Sequence, residues 1–178
     1  VLCDHEPDHL SAGAGRKKLA VLEPRANTDT SNTRARMVTT SIQIRFNDMD
    51  LAGHAHNGVY LTWFELGRMA FFRTFIEREH DWKKQGMILA RNEVDHRAPV
   101  HLNDQAEVDC WCDRIGNTSF DLRYRITVLK DGQRQLRAEG RSVMVCFDYT
   151  TNSPIPVPAA WRTALARMMD TDKKTART

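Results

Sequence analysis

Acidic, histidine and glycine residues are concentrated in the short segment from residue 48 to residue 58. Asp50 is its central carboxylate. An aspartate near its ordinary pKa is ionised at neutral pH and can act as a nucleophile or a general base without special activation. His54 follows and could polarise a reacting group or hydrogen-bond the loop, and Asp48 is expected to be structural. The segment therefore makes Asp50 a candidate catalytic carboxylate, with the capping of a turn as its alternative role.

The segment after this loop, residues 58–77, predicts a buried helix. Its apolar residues cover a wide arc at helical spacing, and the segment is too long for one strand. These residues are Val59, Leu61, Trp63, Phe64, Met69, Phe71, Phe72 and Phe75. Asn57 stands directly before the segment and is predicted to be the N-cap, because its side chain can accept from an unpaired amide of the first turn. The loop that carries Asp50 would then lead straight into a helix start.

Extended segments flank this helix. Alternating Ile42, Ile44 and Phe46 predict a first strand that runs from Ser41 to Asn47. Four further strands are predicted beyond residue 86, separated by turn signals at 103–104, 116–117 and 131–132. The clearest of them buries alternate residues, which are Phe120, Leu122, Tyr124, Ile126 and Val128. We expect its apolar face to pack on the helix.

The order of elements predicts an α+β fold in which one long central helix is wrapped by a five-stranded antiparallel sheet. Residues 38–158 are assigned to this domain and residues 159–170 to a C-terminal helix, where prolines at 154, 156 and 158 end the sheet. Residues 1–37 and 171–178 lack sustained periodicity and are predicted to be a disordered leader and tail. The leader does not have the pattern of a secretory signal.

Composition excludes several classes of protein. No stretch approaches the roughly 18 uninterrupted apolar residues of a membrane span. The net charge of +3, from 26 Lys and Arg against 23 Asp and Glu, is too small to indicate a nucleic-acid binder. The four cysteines have neither the density of a disulfide scaffold nor C-x-x-C spacing, so reduced thiols and a cytoplasmic location are expected. Cys110 and Cys112 are predicted to pack on one sheet face.

The run from Asn47 to Leu61, followed by Trp63-Phe64-Glu65, has the form D-x-D-x-x-G-H…N-x-x-Y-L-x-x-F-E. It resembles the start of the 4-hydroxybenzoyl-CoA thioesterase family within the hotdog superfamily. Residues 94–99 and the pair at 103–104 resemble the second strand and turn of that family, so the resemblance covers most of residues 40–150. It implies a hotdog fold, thioester hydrolysis and a site formed between two subunits of a homodimer or homotetramer.

The resemblance also implies roles for the residues around the helix start. Asp50 would attack the thioester or activate a water, and the backbone amide of Asn57 or Gly58 would polarise the thioester carbonyl. Free amides at the positive end of a helix dipole suit the oxyanion that develops there. His54 is grouped with these residues as a catalytic candidate.

Three helix residues complete the predicted site. Tyr60, Trp63 and Glu65 are assigned to substrate binding, although Tyr60 and Trp63 could equally be core. Glu65 is also a competitor of Asp50, because some hotdog branches place their catalytic carboxylate on the central helix. Four basic residues are candidates for contact with coenzyme A phosphates, although a solvated strand face is the ordinary explanation for each: Arg97, Arg114, Lys130 and Arg141.

The predicted activity is hydrolysis of an acyl-CoA to a free carboxylic acid and coenzyme A. The alternatives are an acyl-carrier-protein thioesterase, which would share Asp50, and a non-catalytic protein that binds acyl thioesters. No cofactor or metal is expected. Asp50, His54 and His56 are residue types that bind zinc, but no further ligand stands at suitable spacing, and thioester hydrolysis needs no metal.

Overall fold

The computed structural model describes residues 37–169. The predicted leader, apart from Met37, and the predicted tail lie outside the described residues. The strands are β1 (Val38–Ile42), β2 (Gln85–His96), β3 (Gln105–Ile115), β4 (Ser119–Lys130), β5 (Gln133–Asp148) and β6 (Ser153–Pro154). The helices are α1 (Asn57–Phe72) and α2 (Ala159–Arg167), and a single 3-10 turn covers Phe46–Asp48.

All pairings between the strands are antiparallel. The order across the sheet is β1-β3-β4-β5-β2, and β6 pairs with the end of β5. The α+β class with an antiparallel sheet is therefore confirmed, but the described chain has six strands rather than the predicted five. The added strand contains only Ser153 and Pro154. Its proline is tolerated because, among the described strands, β6 pairs with β5 alone, so the missing N–H interrupts no further ladder.

The hairpin between β4 and β5 follows its prediction. Asp131 and Gly132 both have positive φ, 53° and 74°, as a two-residue type I′ turn requires. The alternating apolar residues of β4 are all buried, as predicted. The opposite face of β4 is less open than expected, because Asp121 and Thr127 are buried as well.

Helix α1 lies on one face of the sheet, which we call the inner face, and it packs mainly against β1 and β3. The ring of Phe64 stacks on the ring of Tyr124 in β4, with 4.4 Å between centroids. Gly67 allows a close approach to β3, because a Cβ there would lie 3.0 Å from a methyl group of Val108. The predicted packing of the helix on β4 is thus confirmed. The opposite face of the sheet is called the outer face.

The predicted long central helix is shorter in the structure. It was predicted over residues 58–77 but ends at Phe72. Beyond this point the chain tightens into turns: the hydroxyl of Thr74 donates to the carbonyl of Phe71 at 2.6 Å, and the amide of Ile76 donates to Phe72. These bonds satisfy carbonyls at the helix end and let the aromatic run continue as a packed turn.

The first strand is displaced relative to its prediction over residues 41–47. It starts at Val38, and the chain leaves the sheet after Ile42. The amide of Arg45 donates to Oδ2 of Asp48 at 2.8 Å, which closes the 3-10 turn and prevents an extended backbone. Phe46, predicted to be buried, is 80% exposed as a result.

The C-terminal helix is also shorter than predicted. It ends at Arg167 rather than at residue 170, because Met169 forms a bridge with Cys112. Cys110 and Cys112 are buried, and both point to the inner face as predicted. Within residues 37–169 no helix combines the length and the apolar character that crossing a membrane requires.

Candidate active site

The loop between β1 and α1 forms a small hairpin. The amide of Asp50 donates to the carbonyl of His54 at 2.8 Å, and the amide of His56 donates to the carbonyl of Asp48 at 2.9 Å. Gly53 closes the turn: its amide donates to the carbonyl of Asp50 at 3.0 Å, and its φ of 75° is in the left-handed region that glycine favours. Asp50 is therefore held on a defined turn.

The side chain of Asp50 is exposed and caps this turn. Its Oδ1 accepts the amides of Ala52 at 2.8 Å and His54 at 3.1 Å. The amide of His54 is the main reason that the pKa of Asp50 lies below its ordinary value of 3.8; slight desolvation acts the other way, and the Ala52 amide also lowers the pKa. Oδ2 has no hydrogen-bond partner within residues 37–169. Asp50 therefore caps the turn and keeps one ionised oxygen open to a substrate.

Asp48 has a structural position, as expected. Its side chain is buried, and both of its oxygens bind Arg45, Oδ2 at the amide and Oδ1 at the guanidinium 3.2 Å away. Its carbonyl also receives the amide of His56. These bonds join the two arms of the hairpin and leave Asp50 as the exposed carboxylate of the loop.

Helix α1 begins directly after the hairpin. Its N-cap is His56 and not the predicted Asn57, because His56 keeps an extended backbone while Asn57 is already helical; the side chain of His56 makes no capping bond. The amides of Asn57 and Gly58 find no acceptor within the described part of the chain, and both residues are exposed. With the positive end of the helix dipole, these two amides can receive an anionic oxygen.

The connection between β2 and β3 supports the hairpin from outside. The amide of Ala55 donates to the carbonyl of Val100 at 2.8 Å, and the rings of His54 and His101 meet edge to face at 5.1 Å. Asp104 holds His101, whose amide donates to Oδ2 at 2.8 Å. The sequence analysis missed Val100 because a main-chain contact leaves no residue signature. The sequence analysis predicted the turn at 103–104, but it did not predict the contact of the neighbouring His101 with His54.

The predicted substrate-binding residues of α1 differ in position. Tyr60 is buried one turn from the helix start, where its ring contacts Trp63 at 5.1 Å and His96 at 4.5 Å. Trp63 is 1% exposed and supports the site from the core. Glu65 is exposed but lies about 12 Å along the helix axis from Asn57. Within one chain, Glu65 is therefore not brought to the loop that carries Asp50.

The four basic residues considered for phosphate binding are scattered over the sheet. Arg97 and Lys130 lie at the end of the sheet where β1 runs into the hairpin, whereas Arg114 lies at the opposite end of β3. Arg97 and Arg141 already pair with carboxylates at 3.2 and 2.8 Å. Of the four, Lys130 alone combines the right end of the sheet with the absence of an ion pair inside residues 37–169.

The site thus combines an ionised carboxylate with two open amides on consecutive parts of one loop. A carboxylate can attack a carbonyl carbon or deprotonate a water, and preorganised amides can stabilise the oxyanion that results. In the described range, 37–169, no three or more His, Cys, Asp or Glu side chains are grouped so as to hold a metal ion. The arrangement is suited to acyl transfer from a thioester or ester.

Comparison with known proteins gives the family. Residues 44–165 match the model of the thioesterase-like superfamily, which is more than half of the chain. The chain is also similar to a curated protein of Bacillus subtilis (strain 168), "Putative acyl-CoA thioesterase YneP". The two are 24% identical over 128 residues, which cover 69% of this chain and 91% of YneP.

Solved structures agree with this match. A structure described as a predicted thioesterase from Bacillus stearothermophilus is 32% identical, with a TM-score of 0.67 over 75% of this chain and 96% of that one. A thioesterase of Thermus thermophilus, solved with coenzyme A and Zn, is 27% identical, with a TM-score of 0.63 over 73% and 92% of the two chains. The chain therefore belongs to the thioesterase-like superfamily, and the prediction of a thioester hydrolase is confirmed.

Proposed function

We propose that the protein hydrolyses an acyl-CoA to a free carboxylic acid and coenzyme A, with Asp50 as the catalytic carboxylate. The observation that carries this proposal is the placement of the exposed, ionised side chain of Asp50 on a hydrogen-bonded turn directly before the open amides of α1. The names of YneP and of the coenzyme A complex from Thermus thermophilus support a coenzyme A thioester as the substrate.

In the proposed mechanism the thioester carbonyl oxygen points at the amides of Asn57 and Gly58. Oδ2 of Asp50 either attacks the carbonyl carbon or removes a proton from a water that attacks it. The carbon–sulfur bond then breaks, and coenzyme A leaves as the thiol after protonation. In the first case a water hydrolyses the resulting anhydride. Loss of one oxyanion donor typically costs a factor of roughly 10²–10³ in rate, so the amides at the helix start are expected to make a large contribution.

The other predicted site residues have supporting parts in this proposal. His54 acts through its backbone, whose amide and carbonyl both bind Asp50. Tyr60 and Trp63 form the wall beneath the acyl group, because they are the buried aromatic residues of the first two turns of α1. Glu65 lines the substrate site only where a second subunit brings its exposed helix face to the loop of the first.

We also propose that the protein assembles as a homodimer or homotetramer. Within residues 37–169, β2 is an edge strand of 12 residues, and it exposes Ile88 and Leu89 beside a backbone that no other described strand pairs with. A long apolar edge is a surface that chains pair along. Helix α1 adds exposed Leu66 and Met69.

We further propose that the protein belongs to the 4-hydroxybenzoyl-CoA thioesterase family. The sequence run around Asp50 supports this closer assignment.

A thiol-release assay tests the activity. Purified protein is mixed with acyl-CoAs of several lengths and with one acyl-carrier-protein thioester, and free thiol is followed with a chromogenic reagent. We expect release from at least one acyl-CoA. Thiol release from the carrier-protein thioester alone would show that this thioester, and not acyl-CoA, is the substrate. Binding without any thiol release would contradict hydrolysis.

A further inference from the structure

Six arginines on or beside the outer face of the sheet are balanced by carboxylates. In each pair a nitrogen lies 2.7–3.9 Å from a carboxylate oxygen. The pairs are Arg91–Glu93, Arg97–Glu139, Arg123–Asp113, Arg125–Glu139, Arg134–Asp109 and Arg141–Asp121. Each of these six guanidiniums has a counter-charge within reach.

Arg137 has no such pair within residues 37–169, and its backbone position is also irregular. Ile126 of β4 faces Ala138 of β5, but the next residue, Thr127, faces Leu136, so Arg137 is an extra residue in β5. Such a bulge redirects a side chain away from the regular alternation, and bulges are over-represented next to active sites. Ala138, its neighbour in the bulge, is buried on the inner face.

Arg137 lies at the end of the sheet that carries the candidate site, because its carbonyl accepts the amides of Arg97 and Ala98 at 2.7 and 3.1 Å, in the same connection whose Val100 carbonyl binds the hairpin. Its Nη2 donates to Oε1 of Gln135 at 3.1 Å. His96 lies on β2 beside the bulge, and its ring meets the ring of Tyr60 at 4.5 Å. Burial raises the pKa of Tyr60, whereas the amide of Val100 and the charge of Arg137 act in the opposite direction. Because His96 pairs with Ala138 and its ring meets Tyr60, Arg137 lies at the strand end next to the first turn of the helix.

Arg137 lacks an ionic partner there. Within residues 37–169 it makes no ion pair with a carboxylate, and its Nε is buried without any hydrogen-bond partner. A partly buried guanidinium with an orphaned donor is unfavourable unless an anion pairs with it. Arg68 is the comparison: it lies on the inner side, is 7% exposed and donates to the hydroxyl of Tyr124. Arg137 is only partly buried, so part of its side chain remains open to a ligand.

We infer that Arg137 binds a carboxylate on the acyl part of the substrate, so that the preferred substrates are acyl-CoAs whose acyl chain ends in a second carboxyl group. This inference rests on the proposed hydrolysis of acyl-CoA. A guanidinium offers the planar, two-pronged donor set that matches a carboxylate. The phosphates of coenzyme A do not suit this position, because the whole pantetheine arm separates them from the thioester that sits at the helix start.

Matched pairs of substrates test the inference. Pentanoyl-CoA is compared with glutaryl-CoA, hexanoyl-CoA with adipoyl-CoA, and octanoyl-CoA with suberoyl-CoA, using thiol release to obtain kcat/KM. We expect the carboxylated member of at least one pair to be preferred by about tenfold or more, because a site built to pair with a polar group rejects the analogue that lacks it. Arg137→Met should abolish the preference, and Arg137→Lys should keep part of it. Arg123→Met, on the outer face, is the matched control and should keep it.

The outcomes separate the two claims. If the protein releases no thiol from any of the six substrates, the proposed function fails. If it hydrolyses them but wild-type protein shows no preference for a carboxylated chain, the inference about Arg137 is wrong while the proposed function stands. A preference that survives Arg137→Met would also overturn it. If Arg137→Met does not fold, as seen by circular dichroism, the wild-type ratio and the Arg137→Lys ratio decide.

Discussion

Asp50 and His54 exchange main-chain and side-chain hydrogen bonds across one turn. The amide of Asp50 donates to the carbonyl of His54 at 2.8 Å, and the amide of His54 returns a bond of 3.1 Å to Oδ1 of Asp50. The carboxylate is therefore positioned by the backbone of His54. The imidazole ring points elsewhere and meets His101.

The first prediction follows from this arrangement. His54→Ala keeps both backbone bonds, so we expect kcat/KM to fall by about tenfold or less, far less than the loss of a catalytic group. Thiol release measures the effect, and circular dichroism checks the fold. A fall of several hundredfold in the folded variant would instead assign the imidazole a direct role. His101→Ala serves as the control for loss of the ring contact alone.

A second prediction concerns the helix start. A Cβ at Gly58 would lie 3.4 Å from the ring atoms of His56, so Gly58→Ala fits the fold. Alanine is favoured over glycine in a helix by up to about 1 kcal/mol, so the melting temperature should stay level or rise. The added methyl stands where the thioester approaches, so kcat/KM should fall by about tenfold or more. Thr62→Ala, on the exposed face of α1, is the control. Unchanged activity in Gly58→Ala would show that the amide of residue 58 is not part of the oxyanion site.

The sequence predicted those features of the fold and of the site that depend on residue type. Asp50 in a loop, Asp131-Gly132 at a hairpin turn and the alternation in β4 each have a strong local cause, and the structure contains all three features. The helix end was missed because aromatic residues continue past Phe72. Phe75 and its neighbours pack against the core as a turn, and their spacing alone does not distinguish a turn from a further helical turn.

Other features were beyond prediction because they depend on contacts between distant parts of the chain. The contact of Val100 with the hairpin is a hydrogen bond from the amide of Ala55 to its backbone carbonyl, which any residue could supply. The bulge at Arg137 appears only when β4 and β5 are aligned in register. Phe46 looks like a core residue in an alternating run, but the bond from Arg45 to Asp48 turns the chain before it.

A third prediction concerns pH. The pKa of Asp50 lies below 3.8, chiefly because the amide of His54 favours the ionised form. A lowered pKa means that this group stabilises the fold at pH values above its ordinary pKa, and that the contribution is lost as pH falls through the folded-state pKa. A carboxyl-carbon NMR titration, assigned with Asp50→Asn, should show a midpoint below 3.8. A midpoint above that value would show that the turn does not hold the carboxylate.

A fourth prediction tests the packing that supports α1. A Cβ at Gly140 would overlap the ring of Phe64 and lie 2.8 Å from the carbonyl of Glu93. Gly140→Ala should lower the free energy of unfolding by about 1–3 kcal/mol, measured by denaturant titration. The same substitution should cost less in a Phe64→Leu background, where the ring is gone. An equal cost in both backgrounds would mean that Phe64 does not fill this space.

The central claim is that Asp50 is the carboxylate that performs the chemistry. Asparagine has nearly the same shape and keeps an oxygen for the amides of Ala52 and His54, so Asp50→Asn should leave the turn in place. Thiol release from the best acyl-CoA substrate compares this variant with Glu65→Gln, the matched change on α1. We expect Asp50→Asn to lower kcat by a factor on the order of 10²–10⁴ and Glu65→Gln to retain most of the activity. Near wild-type turnover by folded Asp50→Asn, with Glu65→Gln inactive, would contradict the account and move the chemistry to the helix.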